Sequence, residues 1–312
     1  MTRTGQFFDD VNSPATVVIT TKNRLQELRN AVVSALAQTA KPKVLVMDDG
    51  STDGTYDRVR REFPQVQIHR SEASLGYIVQ RNRAALLAET PVLFSIDDDA
   101  VLSSPTVVEQ TLREFDHPRV GAVAIPFVNV NQSPAVNQRA PDAKGIYAAY
   151  AYIGTAHAVR RDVFRALGGY RELLIHQSEE EDYCIRLLDA GYITRCGLAD
   201  PIHHFESPRR SWTRMDYFGA RNKVMYAWNN APWPYFPMHL AVTTFMTSIF
   251  ARQPARCLTR VRGVLAAYAR CVTGRGDRRP VRPSVYRLSR ELKRRGAVPL
   301  AEIESRLPGA AN

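Results

Sequence analysis

Cysteine is scarce in this chain: four in 312 residues (Cys184, Cys196, Cys257 and Cys271), scattered and without a C-x-x-C pair. That argues against a zinc site and a disulfide framework, and it suits a reducing, cytoplasmic compartment. Neither G-x-G-x-x-G nor G-x-x-x-x-G-K-[ST] occurs, so the dinucleotide fingerprint and the P-loop are both excluded. No window reaches the roughly 20 apolar residues needed to span a bilayer. The nearest, residues 235–250, is short and carries His239, Thr243, Thr244 and Thr247. Residues 1–10 lack the apolar h-region of a secretory signal, so none is expected, and no internal repeat is visible.

Acidic residues are scarce in one region. Residues 252–312 hold 15 of the 42 Lys and Arg but only 4 of the 31 Asp and Glu, so the whole formal excess of +11 sits in this tail. The basic balance is then no sign of a nucleic-acid partner; it describes a basic appendage on a neutral body. Within the tail, Leu258, Val261, Leu265, Tyr268 and Val272 recur at helical spacing, with Arg256, Arg260, Arg262 and Arg270 on other faces. Such a basic amphipathic helix either lies on an anionic membrane surface or packs on the protein with a solvated Arg face. The apolar stretch before it tilts the expectation towards peripheral attachment, on the cytoplasmic face.

What is present is an alternation of strand and helix signals. Residues 15–20, 43–47, 66–69, 91–96 and 120–125 read as strands, and 25–36, 56–63, 79–89 and 161–167 as helices, the last closed by Gly168 and Gly169. Asn23, with Gln26 three residues on, is expected to cap the first helix. A hydrophobic content of 45% supports a sizeable core. The alternation gives an α/β fold with a single Rossmann-like, mostly parallel sheet flanked by helices. Ligands of such sheets bind beyond the carboxyl ends of the strands. Thr20–Asn23, Asp48–Asp49 and Asp97–Asp99 all fall there. Residues 129–144, rich in Asn, Gln and Pro, form a long loop of the kind that often carries function.

Two acidic runs carry the chemistry. Asp97, Asp98 and Asp99 follow the apolar run 91–94, and three like charges so placed are costly unless a cation or hydrogen bonds compensate. Their oxygens are hard ligands suited to Mg²⁺ or Mn²⁺; a solvated acidic turn is the other reading. Ser178 and Glu181 match a capping box that opens a helix stopped by Gly191. Glu179 and Glu180 are left for chemistry, in the ionised form that the helix dipole favours and a general base needs. Dipole complementarity alone also explains such a helix start.

In this order the motifs resemble those of the inverting nucleotide-sugar glycosyltransferases of family 2, which have a GT-A fold. Residues 20–24 and 48–53 resemble its two nucleotide loops, Asp97–Asp99 its DxD metal motif, and 154–169 its acceptor-side segment. Residues 179–187 resemble the motif that carries the base, and 202–207 the segment with a late histidine. The resemblance covers about residues 14–225. It implies a GT-A catalytic domain at 1–230, with a nucleotide-binding half at about 14–125 and an acceptor-binding half at about 126–230, followed by a helical basic region at 231–312. The implied activity is metal-assisted single displacement of a hexosyl or deoxyhexosyl group from a nucleotide-diphosphate donor to a hydroxyl of a glycan, lipid-linked or small-molecule acceptor, as in cell-envelope or polysaccharide biosynthesis. Glu180 is implied as the base, with Glu179 and Asp182 beside it. Thr20, Thr21, Asn23, Arg24, Asp49, Arg81 and Asp98 are implied as nucleotide contacts. Asp97, Asp99 and His204 or His203 are implied as holders of Mg²⁺ or Mn²⁺.

The chain departs from the family pattern at Lys22, often aromatic, at Glu180, often Asp, and at Ser74–Gly76, where Asn-x-Gly is usual. Trp212, Tyr217 and Trp228 are offered for stacking on an acceptor sugar or for the core. Two competing readings are a sugar-1-phosphate nucleotidyltransferase, whose Gly-rich basic N-terminal loop is not matched at 20–24, and a non-catalytic polyanion- or nucleic-acid-binding adaptor, which leaves the acidic runs unexplained.

Overall fold

A computed structural model of the chain describes residues 13–206, 211–249, 254–274 and 278–309. Residues 1–10, Ser207 at the end of the 202–207 segment, and Phe250 lie outside the described residues. The strands are β1 (Ala15–Thr21), β2 (Lys43–Asp48), β3 (Gln67–Arg70), β4 (Val92–Asp97), β5 (Ala100–Leu102), β6 (Val120–Ala124) and β7 (Phe127–Asn129). They continue as β8 (Val136–Asn137), β9 (Tyr147–Ala149), β10 (Ala156–Arg160), β11 (Ile193–Cys196), β12 (Ile202–His204) and β13 (Val298–Pro299). The helices are α1 (Leu25–Leu36), α2 (Thr55–Glu62), α3 (Tyr77–Leu87), α4 (Val107–Arg113), α5 (Arg161–Ala166) and α6 (Glu179–Asp189). After them come α7 (Trp212–Asn230), α8 (Tyr235–Ile249), α9 (Pro254–Thr273), α10 (Pro283–Arg295) and the short α11 (Leu300–Ile303).

β1 is buried along its whole length and β2 along nearly all of it, as parallel strands covered on both faces must be. They belong to a nine-stranded sheet ordered β13-β9-β11-β6-β10-β4-β1-β2-β3. By strand direction the sheet is mostly parallel; β10 and β9 are the reversed strands. The register puts Thr20 beside Asp97 and Thr21 beside Asp48, so the three polar clusters share one sheet edge. A second sheet, β5-β12-β7-β8, stands at that edge. It pairs His204 with Ala100 and so places a histidine next to the residue that follows Asp99. The 129–144 segment is not wholly loop, since β8 forms inside it.

Two local capping expectations fail. Asn23 takes a left-handed conformation (φ 54) and Arg24 stands at the cap of α1; the Asn23 side chain accepts instead from the Thr52 amide. Ser178 is also left-handed (φ 68) and makes no side-chain cap, while Glu181 pairs with Lys293 at 3.1 Å. In both cases a tertiary partner displaces the local hydrogen bond. Gly168 and Gly169 do close α5, with φ of 76 and 63; Arg186 donates to the carbonyls of Leu167 and Gly169.

The helices after residue 230 are of two kinds. α8 and α9 pack with α7 as a three-helix layer. α10 packs on α6, and β13 adds to the edge of the main sheet beside β9. No described helix is long and apolar enough to cross a membrane.

Candidate active site

The acidic run at the end of β4 is compensated from both sides. Arg24 reaches Asp98 at 2.8 Å and Asp99 at 2.9 Å. Thr21 donates to Asp98 at 2.8 Å. Burial nonetheless pushes the Asp98 carboxyl up to about 7 against these partners. Asp99 goes the other way: burial alone would raise it, but the hydrogen bond from His204 and the charge of Arg24 bring it down to about 2. Asp97, Asp99 and His204 each turn a ligand atom into a space less than 4.8 Å across. His204 Nε2 lies 3.2 Å from Asp99 Oδ1, and its Nδ1 lies 2.7 Å from Asn129 Oδ1. Held at Nδ1 by Asn129, the ring turns Nε2 towards Asp99 and the space it shares with Asp97, as an oriented metal-binding imidazole would. The donor set fits a divalent ion. His203 is not part of this group, because alternation along β12 sends neighbouring side chains to opposite faces.

Arg81 of α3 joins this cluster to the acidic helix. One of its terminal nitrogens donates to Asp97 at 2.8 Å and to the Gly154 carbonyl at 3.0 Å; the other meets Glu179 at 3.4 Å. Its guanidinium also lies 4.9 Å from the Tyr77 ring centre. Burial would lower its pKa, but Asp97, Tyr170 and Glu179 outweigh this and raise it. A buried guanidinium with two carboxylate partners is strongly held, so the Asp97 cluster and the start of α6 are fixed one guanidinium apart.

Of the α6 carboxylates, Glu179 is fully buried and also accepts from the Tyr77 hydroxyl at 3.2 Å, so it is not left free. Asp182 is committed to structure, with Arg171, Arg186 and Asn230 occupying its two oxygens at 2.6, 3.0 and 2.8 Å. That corrects its grouping with the reacting residues. Glu180 is half-buried and lines a cavity of about 520 Å³ with Tyr150, Gln138, Arg139 and Lys293. Burial, reinforced by the charge of Glu179, raises its carboxyl well above the ordinary glutamate value. A Cβ on Gly154 would stand 2.5 Å from Glu180 Oε1 and 2.9 Å from Arg81 Nη1; only glycine leaves room for both.

The loops at 20–24 and 48–53 face each other across the sheet edge. The Asn23 amide donates to Ser51 Oγ, and the Thr52 amide to Asn23 Oδ1. Thr20 is buried beside Asp97 in the register. Asp49 accepts from Gln80, Ser74, Leu75 and Gly76. Burial would raise it, but these bonds hold it below the usual carboxylate value. Its oxygens therefore already secure the Ser74–Gly76 turn. Asp48 is the neighbour with a buried oxygen that finds no hydrogen bond.

Several of these residues carry no sequence signal of their own. Tyr77, Tyr150 and Lys293 come from separate elements and reach the start of α6 only in three dimensions. Asn129 and Gln138 lie in the Asn/Gln-rich segment that composition singles out; Gln138 donates to the carbonyls of Ile125 and Ala156. The aromatics offered for stacking are elsewhere. Trp228 packs on Phe236, Arg256 covers Trp212, and Tyr217 meets Phe218; none lines the Glu180 cavity.

Comparison with known proteins bears on family and fold. The sequence model of Glycosyl transferase family 2 matches residues 16–170. Validoxylamine A glucosyltransferase of Streptomyces hygroscopicus subsp. limoneus is 36% identical over 115 residues, 35% of this chain and 25% of the relative. O-antigen chain rhamnosyltransferase WbaN of Salmonella anatum is 28% identical over 215 residues, 63% of this chain and 66% of the relative. The chain thus spans a quarter of the first relative's length and about two thirds of the second's. Among solved structures, the mannosyltransferase PcManGT from Pyrobaculum calidifontis, in complex with GDP-Man and Mn²⁺, superposes with a TM-score of 0.56 at 19% identity, over 85% of this chain and 76% of that one. S. aureus TarS 1–349 in complex with UDP-GlcNAc gives 0.58 at 16% identity, over 90% and 87%. At such identities these likenesses speak for the fold, which is of GT-A type.

Proposed function

From the premise that this chain belongs to Glycosyl transferase family 2, we propose that it is an inverting hexosyl- or deoxyhexosyltransferase. It takes the sugar from a nucleotide-diphosphate donor and passes it to a hydroxyl of a glycan or lipid-linked acceptor, at the cytoplasmic face of the membrane. The observation that carries the reading is the Arg81 bridge, which holds Asp97 and Glu179 in one cleft beside the Glu180 cavity. The relatives named as glucosyl- and rhamnosyltransferases support the sugar class, and four cysteines without disulfides support a reducing compartment.

Glu180 takes the proton of the acceptor hydroxyl as the acceptor oxygen bonds to the anomeric carbon. The bond from that carbon to the diphosphate oxygen breaks on the opposite side, so the configuration inverts. Arg81 and Tyr77 hold Glu179 in place next to the base. Asn23, Thr20, Thr21 and the loop secured by Asp49 shape the nucleotide pocket. Asp97, Asp99 and His204 would hold a divalent ion, Mg²⁺ or Mn²⁺; when bound it neutralises charge on the departing diphosphate. The structural neighbour in complex with GDP-Man and Mn²⁺ supports that assignment.

One experiment separates base from metal site. Glu180→Gln should abolish transfer while nucleoside diphosphate still binds with Mn²⁺ in calorimetry, and Asp99→Ala should lose the Mn²⁺-dependent part of that binding. Near-normal turnover by Glu180→Gln would remove the base assignment. Unchanged binding by Asp99→Ala would remove the metal assignment. Silence of the wild type in a donor-hydrolysis assay would favour the adaptor reading.

A further inference from the structure

The polarity of α8 is inside out. Every exposed position between 233 and 246 is apolar: Trp233, Met238, Val242, Phe245 and Met246, with proline or alanine at the rest. Met238 is 70% exposed and Phe245 61%. The polar side chains of the same helix turn inward, where Thr244 bonds the Tyr268 hydroxyl at 2.7 Å and His239 the Tyr286 hydroxyl at 2.8 Å. On α9 the apolar residues divide. Val264, Ala267 and Cys271 are buried, while Leu258, Leu265 and Val272 remain exposed, seven residues apart. The stripe that the sequence suggests is therefore mostly not the one that packs. Water is a poor neighbour for apolar surface of this extent, and such patches mark surfaces that something else covers.

We propose that the exposed faces of α8 and α9 seat this protein on an anionic lipid bilayer, both helices lying in the headgroup plane. Charge complementarity selects the occupant. α8 and α9 contain no acidic residue; Arg262 is exposed between the exposed Leu258 and Leu265, while Arg256 and Arg260 are paired with Asp216. A helix with an apolar face among basic residues binds an anionic interface through both terms. Residues 233–246 span roughly 20 Å at the helical rise, and no described helix is long and apolar enough to cross, so the contact is in-plane. A protein partner or a second copy would explain the apolar face but not the absence of acidic residues from both helices. This seating is independent of the reaction assigned above.

The test is flotation of the full chain with vesicles of phosphatidylcholine, alone or mixed with phosphatidylglycerol. Wild type should float with the anionic vesicles and much less with the neutral ones. The double variant Met238→Ser/Phe245→Ser should lose at least about tenfold in partitioning, since each lost methylene weakens interfacial binding. Brominated lipids should quench a part of the tryptophan emission that Trp233→Phe removes. Equal partitioning of wild type and double variant, or no quenching assigned to Trp233, would overturn the proposal. So would a lipid-independent dimer that the double variant dissolves, which would give this face to a second copy.

Discussion

The surroundings of Glu180 disfavour its ionised form. Burial and the neighbouring Glu179 hold its carboxyl well above the usual range, so transfer should rise with pH through an apparent value higher than that of a free glutamate. The same shift is a stability statement. The unfolded chain releases this proton near pH 4.3, roughly the free-glutamate value, and the folded chain only at higher pH. Stability is therefore fully present below that window and falls as pH rises through it. Glu180→Gln should melt above wild type at about pH 7, with the gain vanishing towards about pH 4; thermal scans at the two pH values check this, and an equal difference at both would contradict it. Gly154→Ala should cut kcat at least about tenfold and cost about 1–3 kcal/mol in urea unfolding, because the added methyl displaces Glu180 and crowds the buried Arg81. Residue identities were largely legible here, since carboxylates at strand ends and at a helix start announce themselves. Their protonation and partners were not, because Arg24 and Arg81 reach them from other elements.

α6 is launched from a strained turn. Ile175, Gln177 and Ser178 all have positive φ, at 62, 69 and 68, and left-handed conformations of non-glycine residues cost about 1–3 kcal/mol each. Asn222 of α7 holds the turn by donating to the carbonyls of Leu174, His176 and Gln177 at 2.8, 2.7 and 2.8 Å. The Tyr77 hydroxyl accepts from the Gln177 amide at 2.8 Å. Asn222→Ala should therefore lose about 2–4 kcal/mol in chemical denaturation, from buried carbonyls left without a donor, and kcat should fall with it. A loss under about 0.5 kcal/mol, the scale of an ordinary surface change, would show that the turn holds itself. The helices and strands at the sheet edge were readable from periodicity. The Ser178–Glu181 capping box was not formed, because its local signature competes with three carbonyl bonds from a helix roughly 40 residues away in the chain, a separation at which periodicity is silent.

At the scale of the molecule, the chain's last third closes the site. α10 supplies Leu292 and Lys293 to the wall of the Glu180 cavity, and the residues after it, Gly296 and Ala297, complete that wall before β13 joins the sheet. Lys293 lies 4.5 Å above the Tyr150 ring and pairs with Glu181. Both members of that ion pair are substantially exposed, so it contributes little to stability. Lys293→Ala should accordingly raise the KM for acceptor while shifting stability by under about 0.5 kcal/mol. Steady-state kinetics and urea melts read the two effects separately. An unchanged acceptor KM would place the acceptor elsewhere.

The sequence by itself determined the α/β class, the strand edge on which the polar clusters fall, and the placing of all excess positive charge in the tail, because each follows from local composition and period. Only the tertiary structure decided which carboxylates are neutralised, by which arginines, and which apolar face of the tail is left uncovered. Those outcomes depend on contacts between segments far apart in the chain, and no local pattern encodes how two such segments meet.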